Sequence, residues 1–271
     1  MKISYLIDAH AHTGYWPNLS ECEKSLINSD KKNHINFCIF SFDGSEFIDE
    51  NEKRSRLVTQ IIGFTRAYDF VSKNKTSFGM LCWIRPHTEG NYKEVENFIA
   101  SHRDAIFGLK FHPWASRLKV NDPKLIPYFK IAEKYNLPIC VHTAIDKYSK
   151  INYLVEVAKA WPNLTFIAAH AVLLSNHKMA LKAMLDCPNI FIDTAWLKMQ
   201  DLKMFQEKGL LDRVIFGTDN PIDGEGTLDE NIYQDYFNNV INLNDKEYAD
   251  VMYRNAMRVY NISEEQISAK K

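Results

Sequence analysis

Two histidines separated by one residue, His10 and His12, close the apolar run YLIDAHAH at residues 5–12. On an extended strand, residues two apart point to the same side, so both imidazoles face one way. One histidine there reads as a hydrogen-bonded core residue; two in this spacing point to shared chemistry, and imidazole is the commonest ligand for divalent metal ions. Related residues close later runs of the same kind: Lys110 and His112 in FGLKFHP (107–113), His142 in PICVHTA (138–144), His170 in FIAAHA (166–171) and Asp219 in VIFGTDNP (214–221).

The elements that must position these groups follow from the hydrophobic pattern. With YLIDAHAH, the runs NFCIFSF (36–42), FGMLCWI (78–84), FGLKFHP, PICVHTA, FIAAHA, IFIDTA (190–195) and VIFGTDNP make eight. Each is continuously apolar rather than alternating, the pattern of strands buried on both faces of a parallel sheet. Amphipathic helices are expected between them. In NEKRSRLVTQIIGFTRAYDFVSK (51–73), Leu57, Ile61, Phe64, Tyr68 and Val71 fall at three- and four-residue steps on one face. NDPKLIPYFKIAEKYNLP opens on Asp122 as an N-cap with Pro123 at the first helical position, and stops before Pro138. WPNLTFIAAH and CPNIFIDTA each leave a helix through Pro-Asn, at Pro162 and Pro188, and enter the next strand, the pitch of a repeated β-α unit. Eight such units predict a single-domain (β/α)8 TIM barrel spanning 1–271, with NDKEYADVMYRNAMRVYNI as an extra C-terminal helix. A doubly wound open sheet is the alternative.

In a barrel of this kind the C-terminal ends of the strands carry the active residues. His10, His12, His142, His170 and Asp219 all stand at such ends, so imidazoles from strands one, five and six converge with a carboxylate from strand eight. Three or four N/O ligands with room for water describe a catalytic site for zinc or a similar divalent ion such as manganese. Lys110 at the mouth has three readings: it binds a substrate anion, is carbamylated to bridge two metals, or pairs with a carboxylate such as Asp193. His112 binds substrate or caps the following loop. Asp8, one layer deeper, suits an acceptor that orients a ligand imidazole or a buried salt bridge. His34, His87, His102 and His177, on helices or loops, read as ordinary structural histidines. Tyr15, Trp16, Trp114 and Trp196 would give the mouth aromatic walls or act as packing.

The motifs DAHAH, GLKFHP, VHTA, AAHA, FGTDNP and the terminal YRNAMRVYNI, in this order, resemble the amidohydrolase superfamily, and within it the amidohydrolase-related branch. The resemblance covers nearly the whole chain. It implies His10, His12 and His142 as metal ligands and Asp219 as ligand and proton acceptor. His170 becomes either a ligand of a second metal or a catalytic residue beside a single metal, and the single-metal form is preferred. It further implies hydrolysis by a metal-activated water of a small carboxylate-bearing amide, lactone or related compound. Asp219, His170 and Lys110 would be the catalytic groups, and His112, Arg117, Trp114 and Trp196 would contact substrate. A metal-dependent decarboxylase of an aromatic or dienoic acid is the alternative on the same site. A metal-dependent deoxyribonuclease is disfavoured, because Lys110 stands where a carboxylate is expected.

Composition agrees with a small-molecule enzyme. The chain has 271 residues, 46% of them hydrophobic and 25% charged, and a formal net charge of -1, which offers no net basic field for a nucleic acid or an anionic membrane. No apolar run approaches the roughly 18 residues needed to span a bilayer, and the start carries no signal-peptide cleavage pattern, so the cytoplasm is the expected compartment. The five cysteines are widely spaced without a CxxC pair, which argues against a disulfide framework or zinc knuckle. A homo-oligomer is compatible with the sequence.

Overall fold

The apolar runs become eight parallel strands in a computed structural model, which describes residues 4–15, 18–43, 59–86, 88 and 91–268. They are β1 (Ile7–His12), β2 (Phe37–Ser41), β3 (Phe78–Trp83), β4 (Ile106–Phe111), β5 (Ile139–Ala144), β6 (Phe166–Leu173), β7 (Ile190–Asp193) and β8 (Val214–Ile215). They pair in sequence order from β1 to β8, every neighbouring pair parallel. Helices follow the strands, giving a nearly closed single-domain (β/α)8 barrel. Burial explains the unalternating runs: β1 to β5 and β7 have no residue open to solvent, since helices cover one face and the barrel interior the other.

Helix caps follow the sequence. Asn18, Thr59 and Asn91 accept first-turn backbone N–H groups from their side chains at the starts of Leu19–Lys32, Gln60–Lys73 and Tyr92–Ser101. The helix expected from residue 51 is described from Gln60 on; residues 51–58, with Leu57, lie outside the described residues, as do Trp16 and His87. Its buried stripe is Phe64, Ala67, Phe70 and Val71, so Ile61 and Tyr68 of the expected face are only half-buried. Phe70 sets this rotation by packing edge-on against Phe40 and Phe78, with ring centroids 5.2 and 4.9 Å away. Asp122 caps a 3-10 turn, Pro123–Leu125, that leads into the helix Ile126–Tyr135.

Two strand ends differ from their apolar runs, and both differences bear on the site. FGLKFHP leaves the ladder at Phe111, because Pro113 opens a single helical turn, Pro113–Ser116, with His112 as its N-cap. Lys110 and His112 therefore do not share a strand face. VIFGTDNP pairs with β7 only at Val214 and Ile215, then runs beside β1 and closes the barrel. Ala9 N–H donates to Phe216 O at 3.0 Å, Thr218 and Asp219 N–H both donate to His10 O at 3.2 and 2.7 Å, and His12 N–H donates to Asn220 O at 2.8 Å. The C-terminal segment is helical over Asp245–Ala249, Asp250–Arg254 and Asn255–Tyr260, the middle part a π turn. The carbonyl of Val251 in that turn accepts Phe216 N–H at 2.9 Å, which ties this helical segment to the closing strand.

Gly217 lies where this closure is tightest. A Cβ there would stand 2.7 Å from His10 Cβ and 3.3 Å from His10 N. Gly217→Ala is expected to destabilise the fold by about 1–3 kcal/mol, lowering the melting temperature by several degrees. Calorimetry checks this, and an unchanged melting temperature would contradict the close approach.

Candidate metal centre and substrate cavity

The barrel brings the expected groups to one end. His10 sits on β1 with Nδ1 2.8 Å from Asp193 Oδ2 and Nε2 2.8 Å from Lys110 Nζ. Since the ammonium donates to Nε2, the ring carries its proton on Nδ1 and gives it to Asp193. This is the tautomer that presents a lone pair into the site. His12 Nδ1 lies 2.6 Å from Asp43 Oδ1, and its Nε2 lies 2.6 Å from Asp219 Oδ1. Asp219 Oδ1 is also 3.3 Å from His10 Nε2. On the far side, His170 Nε2 is 3.0 Å from His142 Nδ1. Ligand atoms of His10, His170 and Asp219 all lie within 4.8 Å of one another. His12 joins this group through Asp219, and His142 through His170.

Electrostatics follow from taking these charges out of water. Burial opposes ionisation of Asp219 and Asp43, but the imidazoles around Asp219, and His12 and Lys110 around Asp43, outweigh it and hold both carboxyls well below the ordinary range. Burial likewise opposes charge on His12, yet Asp43 and Asp219 push its pKa up to about 9. In the metal-free site a proton thus bridges the two carboxylates. Burial lowers His142 well below its ordinary value, with His112 beside it adding to the effect, and lowers His170 to about 4. Both rings are neutral at neutral pH. Burial also opposes the charge on Lys110, but Cys140, Asp43, Asp219 and Asp193 hold it above the ordinary lysine value.

This donor set fits a divalent cation. It offers neutral imidazole nitrogens and an ionised carboxylate in one buried cluster, and each β1 imidazole is backed by a carboxylate, Asp193 or Asp43, as metal-bound histidines commonly are. His10, His12, His142 and Asp219 are the residues expected to hold the ion, with His170 beside them.

Other expected residues are placed differently. Lys110 contacts His10, with Asp43 Oδ2 and Cys140 Sγ at 3.9 Å, so the carboxylate nearest its ammonium is Asp43; Asp193 is taken by His10. Asp8 accepts His10 N–H at 3.1 Å and the Thr218 hydroxyl, so it holds the β1 main chain and orients no ring. Burial and Asp30 raise its pKa well above the ordinary value. His112 stacks flat on His142 at 4.2 Å, takes the Ala115 N–H on Nδ1, and is lowered by burial to about 3. Arg117 lies over Trp114 at 4.8 Å and Tyr148 at 5.7 Å. Trp196 donates its indole N–H to Asp219 Oδ2 at 2.9 Å, leaving Oδ1 to face the imidazoles.

A cavity of about 650 Å³ opens over the site, lined by His142, His170, Trp196 and Asp219 and, farther out, by Leu174, His177, Lys198 and Ile222. Arg117, Trp114 and His112 are not in this lining. One wall is strained: His170, Ala171 and Val172 are consecutive left-handed residues (φ 65, 45 and 71°), a conformation costly for a β-branched valine. Neighbours hold it in place. Asp193 Oδ1 accepts His170 N–H at 2.8 Å, Thr143 Oγ1 accepts Val172 N–H at 3.1 Å, and His177 Nδ1 lies 2.9 Å from Ala171 O.

A sequence model of the amidohydrolase family matches residues 7–262. The chain belongs to the amidohydrolase family. No curated protein sequence matches it, but solved structures resemble it over nearly its whole length. A probable 2-pyrone-4,6-dicarboxylic acid hydrolase from Acinetobacter baumannii, with citric acid bound, is 14% identical at a TM-score of 0.67, covering 94% of this chain and 99% of that one. The 5-carboxyvanillate decarboxylase of Novosphingobium aromaticivorans, complexed with manganese and 4-hydroxy-3-methoxy-5-nitrobenzoic acid, is 12% identical (TM-score 0.67; 95% and 96% covered). The 4-oxalomesaconate hydratase of Rhodopseudomonas palustris is 16% identical (TM-score 0.68; 98% of each chain covered). Likeness at such identities establishes the shared barrel.

Asp43 and the role of Asp193 toward His10 were not visible in the sequence motifs. The signal available was position: Asp43 follows the FCIFS strand at the parity of Ser41, and Asp193 ends the IFID strand.

The His12 proton gives a pH test. Its folded pKa of about 9 lies above the ordinary 6.5, so the stability it contributes is complete below about 6.5 and is lost as pH rises through 9. The melting temperature of metal-free protein should fall over that window, and His12→Asn should flatten the fall. Equal slopes for both proteins would show that His12 is not the bridging group.

Proposed function

We propose that the chain is a metal-dependent hydrolase of a small carboxylate-bearing amide, lactone or related compound. The observation that carries this reading is the Asp219 carboxylate, fixed between His12 and His10 at the floor of the cavity and kept ionised there. A bound divalent ion, zinc or manganese, supplies Lewis acidity and lowers the pKa of a coordinated water.

The chain's own groups do the rest. Asp219 Oδ1 accepts the proton released from the attacking water, while the Trp196 N–H on Oδ2 keeps the carboxylate from turning. His170, neutral and held by its left-handed backbone, meets His142 Nδ1 through Nε2 and lines the cavity, where its ring would polarise the substrate oxygen. His112 holds the His142 ring by stacking on it. Lys110 balances the buried carboxylates from beneath His10, and its role is electrostatic rather than as a substrate hook. The neighbouring folds support a cavity suited to small acids, since two of them were solved with citric acid or a nitrobenzoic acid.

Metal analysis of the purified protein with His10→Ala and Asp219→Asn variants tests the site. Both variants should lose most of the bound ion, and undiminished metal in both would sink the assignment. A screen of lactones, amides and aromatic acids with metal-loaded protein tests the reaction. Uptake of one water per turnover is expected, whereas release of CO2 without net water addition would replace hydrolase with decarboxylase.

A further inference from the structure

The residues that reach the cavity leave the substrate carboxylate without its expected holder. Arg117 is stacked on Trp114 and Tyr148 outside the lining, and Lys110 is buried against His10. Among the described lining residues, Lys198 is the only lysine or arginine, and its ammonium makes no hydrogen bond or ion pair with any described residue.

His177 lines the same cavity and is only 7% exposed. Its Nδ1 lies 2.9 Å from the carbonyl of Ala171, which can only accept, so Nδ1 carries a proton. Its Nε2 has no hydrogen-bond partner among the described residues. The ring also begins the nine-residue helix Lys178–Asp186, whose first N–H, on Lys178, is accepted by Asn176 Oδ1 at 3.3 Å and whose dipole adds partial positive charge at that end. A fixed, nearly buried imidazole with one vacant nitrogen, an unpaired ammonium and a helix N-terminus thus border one end of the cavity. Leu173, Leu174, Ile222 and Ile232 supply an apolar wall, and Asp201 on the 3-10 turn after Lys198 is the one acid of this outer lining.

We propose that His177 and Lys198 form a subsite for a substrate carboxylate remote from the reacting bond. The subsite rests on the metal-dependent reading above and deepens it: the substrate is a dicarboxylate, or a carboxylate whose second polar group meets the metal, with an apolar body between. Lys198 Nζ donates to one carboxylate oxygen, and His177 Nε2, an acceptor while Nδ1–H is held by Ala171 O, holds a water that donates to the other. Both residues determine specificity; neither moves a proton in the reaction.

Calorimetry on manganese-loaded protein at fixed ionic strength tests this with succinate, glutarate, adipate and isophthalate, each against its own monoamide. At least one diacid should bind about tenfold more tightly than its monoamide, the scale of a charge-assisted hydrogen bond. Lys198→Gln should bring that ratio close to one. His177→Asn, whose amide still donates to Ala171 O, should reduce it while leaving the melting temperature and manganese affinity unchanged. Asp201→Asn should tighten diacid binding. The proposal is overturned if no diacid is preferred by the wild-type protein, or if the preference survives both Lys198→Gln and His177→Asn. Failure of the wild-type protein to bind manganese at all would instead remove the metal-dependent reading beneath it.

Discussion

Carboxylates cannot be taken out of water without cations, and the mouth of this barrel is organised around that requirement. Asp43, Asp193 and Asp219 are buried and ionised, and each is answered by a positive or proton-donating group at hydrogen-bond distance: His12 for Asp43 and Asp219, His10 for Asp193. Lys110 adds a fixed charge from β4. Asp8, deeper and bonded only to the His10 N–H and the Thr218 hydroxyl with no cation beside it, is driven toward its neutral form by burial and Asp30. A cluster with this balance holds a proton where a divalent ion would otherwise sit, so metal affinity and pH are coupled by construction.

Order within the cluster comes from the carboxylates behind it. Asp193 grips the His10 ring with one oxygen and the His170 backbone with the other, and so sets two strands relative to each other. The left-handed turn after His170 depends on this grip and on Thr143. Strain of this kind persists where the surroundings over-determine the backbone, and here they fix an imidazole on one side and a cavity wall on the other.

Much of this was legible from the sequence, for identifiable reasons. The strand order, the barrel and the convergence of His10, His12, His142, His170 and Asp219 follow from continuous apolar runs with polar ends, a pattern that burial on both faces enforces. Less legible was anything decided by chain direction after a strand stops. His112 reads as a substrate contact or a loop cap, and because Pro113 turns the chain the ring caps that turn and becomes a platform for His142. Arg117, beyond that turn, adopts a left-handed backbone and packs on Trp114. Trp196 reads as a pocket wall and does line the cavity, but its indole also restrains Asp219. His177 looked like an isolated loop histidine, because its neighbours in space come from a loop bend that no periodicity records.

The carbonyl of His10 takes N–H groups from Thr218 and Asp219 together, and the His12 side chain meets Asp219 across 207 residues of chain. The polar ends of β1 therefore wait for a segment made much later in the chain before they are satisfied. Contacts this distant in sequence are slow to form. The histidines of β1 meet their carboxylate only across the seam that closes the barrel, so the polar cluster at its mouth is complete only when the ring is.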